Sequence, residues 1–175
     1  GTALFANLAT YSNSIFLSST TFLGSLSATA NTTALRDANG SITANVFSGV
    51  ASSAKYADLA EKYTTDKEYP VGTVLVVNSN ETAECTQSER LGELTIGVVS
   101  HNPAYLMNAD APGQAVALRG RVPVRIQGSI KKGDAVISYV NGTGTLGNAL
   151  AFIPFAVALE TNLSDEEKLV ECVVL

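Results

Sequence analysis

From residue 73 onward the apolar positions fall in short runs separated by Gly, Pro or Asn, a pattern of strands rather than helices. Pro70 and Gly72 close the preceding segment, and Thr73 to Val77 carries four β-branched residues before an Asn78-Ser79-Asn80 turn. Further strands are expected over 94–100, 115–118, 121–127, 135–139, 155–159 and 169–175. Gly120, Gly128 and Gly133 mark turns or bulges, and Asn141-Gly142 is a hairpin turn leading into a Thr-rich stretch. Short strands of this spacing predict a small, largely antiparallel β-barrel or β-sandwich, in which closure hides the edges that would template aggregation.

Residues 51–61 read differently. Ala54, Ala57, Ala60 and Glu61 recur at roughly helical spacing, so a connecting turn or short helix is expected over 55–72. On a helix, Asp58 and Glu61 stand three residues apart and share a face.

The first 54 residues follow neither pattern. They hold two charges, Arg36 and Asp37, and 27 of the 54 positions are Ser, Thr, Asn or Gly. Yet Leu4, Phe5, Leu8, Ile15, Phe16, Leu17, Phe22, Leu23, Leu26, Ile42, Val46 and Phe47 recur through them, an apolar load that flexible linkers do not carry. A segment that cannot close its own core is expected to bury these side chains against other copies of the chain, as a shaft-like oligomerisation segment. Phe22-Leu23-Gly24 and Phe47-Ser48-Gly49, 25 residues apart, form a weak internal echo. Asn39-Gly40 predicts a turn, with a short strand from Ile42 to Val46 after it. The next 15 residues carry seven charges, which sets a boundary near residues 50–60 and a three-part division into 1–54, 55–72 and 73–175.

Composition narrows the function classes. Charged residues are 15% of the 175, against roughly 25% in average chains, and the net charge is −5. Without a basic cluster beyond Lys131-Lys132, a nucleic-acid partner is not expected. No apolar run approaches a membrane span, and the N-terminus lacks the pattern of a signal peptide. Cys85 and Cys172 lie too far apart for a metal motif or a disulfide framework, which fits assembly in a reducing compartment. The acidic neighbours Glu84 and Glu89 should raise the Cys85 thiol pKa, and Cys172 alternates with terminal valines as a small core residue. No phosphate loop, metal-ligand pair or nucleophile elbow is present, and neither cofactor nor metal is expected. His101, before Asn102-Pro103, reads as a residue closing a strand end. Arg119, Arg121 and Arg125 alternate along one strand face and need countercharge, expected from carboxylates of a neighbouring subunit. Tyr105, Tyr139, Phe152 and Phe155 are the aromatics available to a carbohydrate-binding surface.

Tyr56 and Asp58-Leu59-Ala60-Glu61-Lys62-Tyr63, followed by Asp66-Lys67-Glu68-Tyr69-Pro70-Val71-Gly72-Thr73-Val74, resemble the C-terminal region of bacteriophage tail fibre and tail appendage proteins. Ile96 to Ser100, Asn102 to Asn108, Val116 to Val124 and Ile130 to Asp134 agree in the same order, so the resemblance covers roughly residues 56–140. It implies a virion structural protein of the tail fibre, an intertwined homotrimer whose C-terminal domain ends the fibre. Other tail or baseplate proteins would be its partners, and loops 102–113 and 141–148 could face a host glycan or protein. Some relatives are intramolecular chaperones that cut themselves free before an aspartate, with a glutamate three residues later as its acid partner. That pattern falls on Asp58 and Glu61, with the scissile bond joining Ala57 to Asp58. This chain has Ala57 and Leu59 where the cleaving members carry a serine and an aromatic. The structural role is the main expectation, with carboxylate-dependent self-cleavage and host-receptor binding as its alternatives.

Overall fold

The computed structural model describes residues 57–80, 82–148 and 150–175, together with 24–25, 33–34, 36–42, 44 and 53. Two compact units divide between residues 51 and 52.

In the first unit, β1 (Gly24–Ser25) pairs in parallel with β2 (Thr33–Ala34). The Asn39-Gly40 turn forms as its residue types require. Asp37 Oδ1 accepts the N–H groups of Asn39 at 2.9 Å and Ser41 at 2.8 Å, while Gly40 takes φ +81°. Ser41, Ile42 and Ala44 do not continue into the expected strand, and Ile42 is exposed. The remaining apolar positions of this segment, the Phe-containing echo and residues 54–56 lie outside the described residues.

The second unit is built on β8 (Gln114–Ile126). Val122, Val124 and Ile126 point inward and Arg121, Pro123 and Arg125 outward, the alternation of a strand with one buried face. The two strands expected over 115–118 and 121–127 are thus one, and Gly120 (φ +104°) bends it rather than ending it. Beside that bend the pairing slips, with Leu59 opposite Arg119 but Ala60 opposite Ala117, a β-bulge that leaves Leu118 unmatched.

Beyond Gly120, β8 pairs with β12 (Lys168–Val174), and β12 with β11 (Ala156–Ala158). β11 pairs with β9 (Ala135–Ser138), which pairs with β10 (Gly144–Leu146), all antiparallel. Gly144 of β10 then returns to Ile126 of β8 in parallel and closes a five-stranded barrel. Val122, Val124, Ile126, Val136, Phe155, Val170 and Cys172 fill it, and full burial of each aliphatic side chain stabilises by roughly 1.5–3 kcal/mol. Asn141 takes φ +56° in the expected β9–β10 turn.

Ahead of Gly120, β8 carries β3 (Asp58–Tyr63) and β6 (Thr95–Val99). β6 pairs with β4 (Val74–Val77), and β4 with β5 (Cys85–Gln87). β7 (Tyr105–Met107) adds in parallel to β3. Tyr69, Leu75, Cys85, Val99 and Val116 form a second core here. The helix expected to include Asp58 and Glu61 is corrected by β3. Pairing with β8 on one side and β7 on the other outweighs the modest helix propensity of Leu, Ala, Glu and Lys. Among the described residues no helix is long and apolar enough to cross a membrane.

Candidate functional site around the Ala57–Asp58 peptide

β3 opens where the chain passes from an exposed Ala57 to an Asp58 only 5% exposed. Three separate elements hold this step. The Arg121 N–H of β8 donates to the Ala57 carbonyl oxygen at 3.1 Å, and the Ala104 N–H donates to the Asp58 carbonyl oxygen at 2.9 Å. Ser100, just past the end of β6, donates its hydroxyl to Asp58 Oδ2 at 2.6 Å. A carboxylate this buried needs such a donor to offset its lost hydration.

Gly120 makes the approach possible. A Cβ there would stand 2.3 Å from the Ala57 carbonyl oxygen and 2.9 Å from Asp58 Cα, and the backbone takes a positive φ that side chains disfavour. The residue that bends β8 is therefore also the one against which the Ala57–Asp58 peptide lies.

A cleft of about 340 Å³ opens beside the peptide, walled by Ala57, Asp58, Ser100, His101, Arg121 and Glu171. His101 lies in the bend after β6, as its place at a strand end suggested, and is exposed.

Glu61 is elsewhere. Side chains alternate along a strand, so a spacing of three puts Asp58 and Glu61 on opposite faces of β3. Glu61 Oε2 accepts the Tyr63 hydroxyl at 2.9 Å, and burial together with this carboxylate pushes the Tyr63 phenol up to about 12. Within one chain the expected pair of neighbouring carboxyls is not formed by these two residues.

Of the three arginines, Arg125 finds its countercharge in its own chain. Its Nε pairs with Glu167 Oε1 at 2.7 Å, and Nη1 donates to Thr73 Oγ1 at 3.1 Å and the Asn141 carbonyl at 3.3 Å. Arg119 and Arg121 are exposed and form no ion pair among the described residues. Both cysteines are buried free thiols, pushed up mainly by burial to about 11 at Cys85 and about 12 at Cys172, so neither supplies a nucleophile. Among the described residues no group of His, Cys, Asp and Glu is arranged to hold a metal. Of the four aromatics named for glycan stacking, Tyr105 is 66% exposed and Phe155 is in the barrel core, so the four do not share a surface.

Sequence reasoning missed Ser100 and Glu171, and marked Gly120 only as a turn or bulge. A glycine flanked by arginines inside a β-branched run was the one local signal, and it reads equally well as a turn. The assembled arrangement has the parts for acid-assisted hydrolysis: a carbonyl held by an N–H, an amide nitrogen adjoining a buried carboxyl, and a cleft wide enough for water.

No protein-family model matches the chain, and no curated protein matches it. Solved structures do. The pre-mature bacteriophage phi29 gene product 12 superimposes with a TM-score of 0.54 at 16% identity, over 78% of this chain and 24% of that one. A C-terminal fragment of the same bacteriophage phi29 gene product 12 gives 0.51 at 15% identity, over 67% of this chain and 100% of the fragment. The chain thus spans about a quarter of the longer structure, and the likeness is one of fold, shared with a bacteriophage protein.

Proposed function

We propose that the chain is the C-terminal part of a bacteriophage tail fibre or tail appendage protein, and that its β domain is a self-processing intramolecular chaperone. It would help three copies assemble and then part from the preceding segment at the Ala57–Asp58 bond. The observation that carries this reading is the lodging of that bond. An exposed residue meets a nearly buried aspartate, the carbonyl between them is held by the Arg121 N–H, and the cleft of about 340 Å³ lies alongside.

In this reading water adds to the Ala57 carbonyl carbon, the bond to the Asp58 nitrogen breaks, and the Asp58 carboxyl stands beside the leaving amine. Glu61, on the far face of β3, does not meet it within the chain. Arg119 and Arg121 are available for pairing between copies in the same assembly. The second reading is a fibre-ending domain that stays attached, placed in the virion tail and touching other tail proteins or a host surface. The opposite orientation of Asp58 and Glu61 within one chain favours it.

Denaturing mass spectrometry of the purified full-length chain separates the two. A fragment beginning at Asp58, absent from Asp58→Ala, is expected. An intact chain under all conditions, including those in which light scattering reports a trimer, would overturn self-processing and leave the attached domain.

A further inference from the structure

We infer that the second carboxyl of this cleavage is Glu171, supplied by the same chain. The assignment rests on the self-processing reading above. Register brings Glu171 to the peptide: β12 pairs with β8 so that Glu171 stands opposite Pro123 and Val173 opposite Arg121. Arg121 and Glu171 are therefore diagonal neighbours, about 7–8 Å apart at Cα, within reach of two long side chains. Val170 and Cys172 point into the barrel, so Glu171 faces outward, half-buried, into the wall of the cleft that also holds Ala57 and Asp58. Its carboxylate accepts no hydrogen bond and joins no ion pair among the described residues. The Glu61 carboxylate is already committed to the Tyr63 hydroxyl on the other face of β3.

These positions give each group one task. A water in the cleft passes a proton to the Glu171 carboxylate as its oxygen bonds to the Ala57 carbonyl carbon. The charge that gathers on the carbonyl oxygen meets the Arg121 N–H, the donor that already holds it. Asp58, in its acid form, passes its proton to its own amide nitrogen while Ser100 holds the carboxyl through Oδ2. The carbon–nitrogen bond breaks, leaving a carboxyl on Ala57 and an amine on Asp58 at the cost of one water; Glu171 then holds the proton that the water gave up, and Asp58 has given up its own.

The test follows cleavage of the full chain by denaturing mass spectrometry near neutral pH. Glu171→Gln should slow cleavage by about 100-fold or more, with an unchanged melting temperature. Glu61→Gln should keep nearly the full rate. Should Glu171→Gln unfold, Glu171→Asp carries the test: a slower rate in the folded chain supports the assignment, and the wild-type rate overturns it. Cleavage of Glu171→Gln at the wild-type rate, or its loss in Glu61→Gln, overturns the role of Glu171 while self-processing stands. A wild-type chain that never cleaves removes both.

Discussion

Replacing Gly120 by alanine tests whether the peptide at the start of β3 is held as described. The new Cβ would lie 2.3 Å from the Ala57 carbonyl oxygen and 2.9 Å from Asp58 Cα, both backbone atoms that cannot swing aside. Left-handed backbone costs a side-chain-bearing residue about 1–2 kcal/mol. Breaking the hydrogen bond from Arg121 to Ala57 adds about 0.5–1.5 kcal/mol, and displacing packed backbone about 1–3 kcal/mol. The expected loss is therefore about 3 kcal/mol or more. Gly133 supplies the control, because its φ is +92° and an added Cβ meets nothing within 4 Å. Gly133→Ala should lose only the backbone part, about 1–2 kcal/mol. Urea unfolding of both variants measures the difference, and amide hydrogen exchange at Arg121 locates it. Equal destabilisation of the two, or an Arg121 amide as protected in Gly120→Ala as in wild type, would refute the close approach.

Three further outcomes follow from side chains already described. Cys85 and Cys172, pushed up to about 11 and 12 by burial, should resist a disulfide-exchange reagent at neutral pH and react fully after denaturation; rapid reaction of the folded protein would contradict their burial. Tyr63, raised to about 12 when folded, contributes stability that is complete below its unfolded value of 10 and is lost as pH rises from about 10 to 12. Tyr63→Phe should shallow that alkaline loss, and identical pH–stability curves would contradict the raised phenol. Arg125→Ala should cost about 1–3 kcal/mol by removing a charge-assisted bond to Glu167 and contacts with Thr73 and Asn141, whereas Arg119→Ala should stay within about 0.5 kcal/mol; comparable urea midpoints for the two would argue against the in-chain pairing.

Two of the barrel strands were legible from their apolar pattern: β9 and β12 lie almost where the β-branched run of Val136 and Ile137, and the alternation of Val170, Cys172 and Val174, put them. Gly120 was marked as a turn or bulge, but which of the two it makes was not legible, since a glycine between two apolar runs looks the same whether it ends a strand or kinks one. β3 was misread because its residues carry a helical preference that only two neighbouring strands override. β5 and β7, three residues each, have no pattern of their own and exist through their partners. The site divides in the same way. Asp58 and Ala57 stood out through a resemblance in motif. Ser100 and Glu171 reach them only through the pairing of β6 and β12 with β8, which no local signal encodes.

Cleavage of the full chain in water enriched in heavy oxygen tests the central claim most directly. Hydrolysis between Ala57 and Asp58 predicts two products, an N-terminal piece ending in Ala57 that carries one heavy oxygen in its new carboxyl and an unlabelled piece beginning at Asp58. A chain that remains whole while folded and assembled, or breaks at another bond, would contradict it.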